Sequence, residues 1–123
     1  MSVPENLQYT KDHEWALVEK GVATVGITDH AQRELGDIVF VELPKVGTQL
    51  SAGQSFGTIE AVKTVAELYA PVAGVVTEVN SSLATDAGVV NQDPYGKGWI
   101  IKVSVEASAE NELMSAVEYG KLI

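Results

Sequence analysis

Short apolar runs rich in β-branched residues, each ended by glycine, proline or a charged turn, set the pattern of this chain. Residues 13–18 and 22–27 are two such runs around Glu19-Lys20-Gly21, which predicts a hairpin with glycine at the tight position. Thr28 then offers an N-cap to a short helix over 29–35. Asp29 falls in its first turn, Arg33 near its end, and Gly36 supplies the stop. Residues 37–44 are the most strand-like run and close at Pro44, after which Gly47 and Gly53 bracket a short segment. Residues 54–59 are again strand-like. Residues 60–74 read as strand, tip, strand and a turn from Pro71 to Gly74, and 75–79 continue the pattern. Weaker periodicity over 81–91 allows a helical turn, 93–98 is a loop, and 99–105 returns as a strand. Ser108 caps a C-terminal helix near 108–119. Glu110 and Glu112 lie near its positive end, Leu113, Met114 and Val117 lie on one face, and Gly120 follows. Strands this short with turns this frequent predict a mainly β sandwich or barrel rather than βαβ units. Residues 46–62 and the strands after Gly74 loosely echo each other, as two similar hairpin units would.

Lys63 departs from that pattern. It stands among Ile59, Ala61, Val62, Val65, Ala66 and Leu68, with Glu60 three residues before it and Glu67 four after. On this stretch alone, a solvated hairpin tip accounts for the lysine as well as any special duty does.

Composition narrows the choice. At 123 residues the chain is one domain, 1–123, long enough to bury a core without staples. It has no cysteine, which removes disulfides, thiolate catalysis and Cys-based metal sites together. No run of about 18 apolar residues supports a transmembrane helix. The N-terminal residues carry neither a secretory signal nor a transit peptide, so the expected location is a bacterial cytoplasm, or the mitochondrial matrix for a processed form. Seventeen acids against eight bases give a net charge of −9. Such a surface repels nucleic acid and anionic lipid, and steers toward basic partner surfaces.

No enzyme site competes with the lysine. Gly96-Lys97-Gly98 lacks the third glycine and the following helix of a dinucleotide fingerprint, and nothing fits a P-loop. His13 and His30 lie in different elements with no metal-binding spacing, so no metal is expected. No serine sits in a G-x-S-x-G elbow. Glu60 and Glu67 are spaced as companions of Lys63, not as an acid/base pair across a cleft. A Schiff-base lysine needs burial to lower its pKa, and a hairpin tip is the wrong place for that. An attachment point belongs at a tip, because a ligase must reach the amine and a tethered group must leave the surface freely.

Read as an attachment point, Lys63 sits within a larger set of motifs. These are His13-Glu14-Trp15; Gly26-Ile27-Thr28-Asp29-His30-Ala31-Gln32; Leu35-Gly36-Asp37 through Leu43-Pro44; Glu60-Ala61-Val62-Lys63; Tyr69-Ala70-Pro71-Val72-Ala73-Gly74; and Val90-Asn91 through Gly98-Trp99. In this order and spacing the chain resembles the glycine cleavage H-protein family over nearly its whole length. Two positions depart from the family pattern: Ala61 stands where serine is usual, and no proline occurs near Ala87 or Gly88.

The resemblance implies a flattened barrel-sandwich hybrid of two small antiparallel sheets, with helices near 29–35 and 108–119. It implies lipoate joined by an amide to Lys63, with Glu60 and Gly74 at positions that lipoylating enzymes read. The lipoyl arm would take an aminomethyl group from a pyridoxal-phosphate glycine decarboxylase and carry it to a folate-dependent aminomethyltransferase. A dihydrolipoamide dehydrogenase would reoxidise it. The protein itself would be a carrier, not an enzyme, working as a monomer. An acid-lined resting cleft would shield a loaded arm from water, and Glu14 and Glu67, with His30, are the residues expected to form it. Other duties for such a carrier are a lipoyl or octanoyl relay to other proteins, or a lipoyl domain of a 2-oxoacid dehydrogenase.

Overall fold

The computed structural model describes residues 3–105 and 113–123. The N-terminal strand β1 (Gln8–Tyr9) pairs antiparallel with β2 (Glu14–Glu19), which pairs in turn with β3 (Val22–Ile27). Lys20 and Gly21 join β2 to β3 with φ of 51° and 79°. Two positive φ values in a two-residue connection are the turn whose twist matches paired strands. Helix α1 (Asp29–Leu35) follows, with the Thr28 hydroxyl accepting from the Ala31 N–H and the Gly36 N–H closing on the Gln32 carbonyl.

Strands β4 (Ile38–Glu42), β5 (Gln49–Leu50), β6 (Ser55–Ala61), β7 (Val65–Tyr69) and β8 (Gly74–Val79) come next. A single 3₁₀ turn at Ser81–Ala84 and helix α2 (Val89–Gln92) lead to β9 (Ile101–Val105) and the C-terminal helix α3 (Ala116–Leu122). The strands form two antiparallel sheets, one ordered β1-β2-β3-β9-β8-β5 and the other β4-β6-β7. Ile59 and Leu68 from the smaller sheet pack with Val25, Val76, Ile101 and Val103 from the larger, all essentially inaccessible to water. Burying a side chain of this size is worth about 1.5–3 kcal/mol. This core is what holds the β6–β7 hairpin rigid beneath its tip.

Three expectations are corrected. The C-terminal helix is present but starts at Ala116, because Ser115 and Glu118 make a reciprocal capping box. Met114 therefore lies ahead of the helix and bridges to Tyr9, Leu113 also precedes it, and Gly120 falls within it. Ser108, Glu110 and Glu112 lie outside the described residues. The last strand begins at Ile101 rather than at Trp99. Pro71–Gly74 is less a turn than an approach to β8, which Gly74 opens. The two-residue strands β1 and β5 are too short for any periodicity to mark.

A second cluster ties the chain ends together. Tyr9 and Tyr119 stack with ring centroids 4.7 Å apart and planes 8° from parallel, alongside buried Leu7 and Trp15. Trp15 lies against Gly26, where a Cβ would come within 2.7 Å of its ring, and its Nε1–H donates to the Pro94 carbonyl at 3.0 Å.

Candidate functional site

Strand pairing brings β6 and β7 together up to Glu60 opposite Val65, and the Ala61 N–H donates to the Thr64 carbonyl at 2.8 Å. Val62 and Lys63 are thereby left at the outermost point of the hairpin, both exposed. The Val62 N–H is held at 3.0 Å by the Asp37 carbonyl, so the tip is tied to the start of β4 rather than waving free. The Lys63 side chain bends back over the end of α1. Its Cε and Nζ lie 3.4 Å and 3.8 Å from where a Cβ on Gly36 would stand. The C-terminal end of a helix is the end that favours a cation.

The end of α1 is fixed in turn by Asn91. Its amide donates to the Gly36 carbonyl at 2.8 Å and to Gln32 Oε1 at 3.0 Å, while its oxygen accepts from the Ile38 N–H at 2.9 Å. One side chain from α2 thus satisfies helix, loop and strand at once.

Between α1, the start of β2 and the free edge of β7 lies a cleft of about 150 Å³. Ile27, Leu35, Ile59 and Leu68 are among its apolar lining, and Asp12, His13, Glu14, Glu34 and Glu67 supply its polar groups. The expected pair Glu14 and Glu67 therefore does meet in one cleft. His30 does not line it; its ring rests on His13 with centroids 4.6 Å apart, and its Nε2 pairs with Glu34 at 2.6 Å. Asp12, His13 and Glu34 line the cleft in addition to the two expected acids. Two signals for them lay in the sequence: the contiguous run Asp12-His13-Glu14, and the placement of Glu34 one helical turn after His30.

Glu14 is the unusual member, only 2% exposed. Its Oε1 accepts from the Thr10 hydroxyl at 2.8 Å and its Oε2 from the Tyr69 N–H on the free edge of β7 at 3.3 Å. Burial outweighs those bonds and pushes its pKa up to about 8. At neutral pH this group is mostly a neutral acid. A second, larger opening of about 380 Å³ lies on the other side of it, with Lys11, Tyr69, Pro71 and Met114 among its walls.

His13 has φ of 68°, a backbone region other residues than glycine seldom enter. Its Nδ1 shares a hydrogen bond of 2.8 Å with the Tyr119 hydroxyl, which makes a second of 2.8 Å with the Thr28 hydroxyl. Burial, then the neighbouring His30, lowers the His13 pKa.

Glu60 sits on the outward face of β6, one pair short of the tip, while Gly74 lies in the other sheet. A Cβ on Gly74 would stand 2.0 Å from the Ser104 carbonyl oxygen, so close strand packing already demands glycine there. Ala61, the departure beside the lysine, is buried beneath the tip rather than on the surface a ligase would meet. Among the described residues no helix is long and apolar enough to cross a membrane.

Known proteins are similar to this chain over nearly its whole length. A glycine cleavage system H protein from Chlorobium limicola is 60% identical over 126 residues, covering 100% of this chain and 98% of its own. One from Rubrobacter xylanophilus is 57% identical over 119 residues, covering 97% and 93%. The crystal structure of a glycine cleavage system H protein from Mycobacterium marinum superposes with a TM-score of 0.91 at 42% identity, covering 97% of each chain. The family description Glycine cleavage H-protein matches residues 7–123, and with that match the chain belongs to the glycine cleavage H-protein family.

Proposed function

We propose that the chain is the lipoyl carrier of a glycine cleavage system, with lipoate in amide linkage to Lys63. The observation that carries this is the pairing of a tied, exposed tip lysine with a cleft lined by the strand that follows the tip, β7. The residues fit the group. A hydrocarbon and dithiolane need apolar walls, which Ile27, Leu35, Ile59 and Leu68 provide, and an ammonium at the arm's end needs acids, which Asp12, Glu14, Glu34 and Glu67 provide. Lipoate supplies a disulfide that reduction opens and that carries an aminomethyl group between enzymes.

The chain's own part is to hold, orient and shield. The β6–β7 hairpin fixes where the arm starts and raises its effective concentration at a docked partner. Glu14 is protonated near pH 7 and can donate a hydrogen bond into the cleft; a cation arriving there favours its ionised form and releases the proton. Glu67 and Glu34 are both exposed and line the same cleft. His30 acts at one remove, by steadying His13.

The partners on this reading are the decarboxylase, the aminomethyltransferase, the dihydrolipoamide dehydrogenase and the lipoylating enzymes. Those enzymes are expected to read Glu60 and Gly74, and the carrier to work as a monomer without catalysis of its own. The bacterial relatives favour a bacterial cytoplasm over the mitochondrial matrix. Intact mass of protein from its native host tests the reading. A lipoyl-sized increment mapped to Lys63 and lost in Lys63→Ala supports it, and an unmodified lysine in cells that lipoylate other proteins overturns it. Exchange of the glycine carboxyl with CO₂, in the presence of the decarboxylase, then separates this duty from a relay of lipoyl groups.

A further inference from the structure

Tyr119 is fully buried, and two polar neighbours share its one hydroxyl. His13 Nδ1 and the Thr28 hydroxyl each stand 2.8 Å from it. The parallel stack on Tyr9 holds the tyrosine ring, and the Thr28 N–H donates to the His13 carbonyl at 3.0 Å. The direction of each bond follows from where the hydrogens can go. Thr28 Oγ1 already accepts from the Ala31 N–H at 3.1 Å. The acceptor left for its own hydrogen among the described residues is the Tyr119 oxygen. Tyr119 therefore gives its hydrogen to its other neighbour, Nδ1 of His13.

A ring nitrogen that accepts carries a lone pair, so the hydrogen of the neutral imidazole sits on Nε2. With a hydrogen on Nδ1 instead, Tyr119 or Thr28 keeps a buried hydroxyl hydrogen that nothing receives, which is costly. Among the described residues no buried side-chain nitrogen or oxygen lacks a partner. Nε2 has no hydrogen-bond partner there and so reaches water, and the ring forms part of the cleft wall. The titratable groups around it are Asp12 and Glu14 on either side in the chain, His30 and Glu34 on α1, and Glu67 on β7. Of these, His30 touches the ring, and its own Nε2 is taken up by Glu34.

We propose that Tyr119 is a positioning residue for the cleft: it fixes His13 as the Nε2–H tautomer, so that the wall offers the arm a donor and not a base. The bearing on the arm rests on the carrier reading above. Imidazole is the side chain best matched to proton transfer near neutral pH. With its lone pair engaged by the Tyr119 hydroxyl, it cannot take the proton from an ammonium lodged in the cleft. The acids supply the charge that holds such a cation, and His13 adds no base beside it. Burial and His30 act in the same direction, since both disfavour the charged ring. The C-terminal helix thus sets the place of one proton in the cleft.

The test is a long-range proton–nitrogen correlation spectrum of the unmodified, nitrogen-labelled chain at about pH 8, above the ordinary imidazole range. His13 Nδ1 is expected in the unprotonated range and Nε2 in the protonated one. In Tyr119→Phe, measured below its melting temperature, both nitrogens move toward the mean of the two tautomers. Loaded with the aminomethyl group, that variant loses it about tenfold faster than wild type, the population ratio that one hydrogen bond sets. His13→Gln in the same background removes the base and restores the wild-type lifetime. A wild-type spectrum with the hydrogen on Nδ1 overturns the proposal, as does a Tyr119→Phe spectrum identical to wild type. An unchanged lifetime in Tyr119→Phe, or a shortened one that His13→Gln does not restore, overturns the effect on the arm. Failure of the carrier reading has a different signature: Lys63 carries no lipoyl group while the imidazole spectrum is as stated.

Discussion

The alkyl chain of Lys63 lies across Gly36, so that a single added carbon on the glycine would stand 3.4 Å from the lysine Cε. Gly36 has φ of 81° and ψ of −155°, a region that a side-chain-bearing residue enters at a cost of about 1–3 kcal/mol. Gly36→Ala is expected to lower stability by that amount in urea denaturation through its backbone alone, since the added carbon would only touch the lysine. A variant within about 0.5 kcal/mol of wild type would contradict the backbone argument.

Glu14 ties stability to pH. Its pKa rises on folding from 4.5 to about 8, so the folded chain holds a proton that the unfolded chain gives up. The stabilising contribution is fully present below about pH 4.5, falls as pH rises through the window to about 8, and is flat beyond it. Each pH unit inside the window is worth about 1.4 kcal/mol. Glu14→Gln does not titrate and should show a shallower decline between pH 5 and pH 8.5, gaining on wild type by several kcal/mol across it. Parallel curves for the two proteins would show that the buried acid does not titrate as described.

Gly74 separates two explanations of one residue. If its role is to let β8 approach Ser104, Gly74→Ala costs about 1–3 kcal/mol in chemical denaturation before any enzyme is added. Unchanged stability combined with failed lipoylation would assign the glycine to ligase recognition instead.

Tyr119→Phe removes the hydroxyl shared by His13 and Thr28 and leaves both facing an apolar ring edge. A loss of about 1–3 kcal/mol in thermal or chemical unfolding is expected, because the Thr28 hydroxyl is fully buried. A neutral outcome would show that solvent or a neighbour replaces the bond at no cost.

The sequence makes the hairpins, α1 and the position of Lys63 legible because each has a local cause: Gly21, the Thr28 cap, Gly36, and a lone cation between apolar strands. What it hides depends on distant partners. Nothing near Glu14 announces that its carboxyl bonds the Tyr69 N–H, since only the packing of β2 beside β7 brings them together. Tyr119 reads as one more aromatic until α3 sets its hydroxyl against His13 and Thr28. Ser108 is a plausible cap by type and lies outside the described residues, whereas Ser115, which caps α3, is marked by its reciprocal partner Glu118.

The central place of β9 has a bearing on how the protein comes into being. This strand lies between β3 and β8, and Val25 finds its partner in Ile101 near the far end of the chain. During synthesis the larger sheet has a gap at its middle until the last strand leaves the ribosome, and long-range pairings of this kind form slowly. The β6–β7 tip thus emerges early and acquires its rigid support late. A ligase that reads the supported hairpin would find no substrate in nascent chains stalled before Ile101, and lipoylation of such chains would show that it reads the tip alone. On this view attachment of the arm marks a finished molecule, and unfinished copies are kept out of the enzyme cycle.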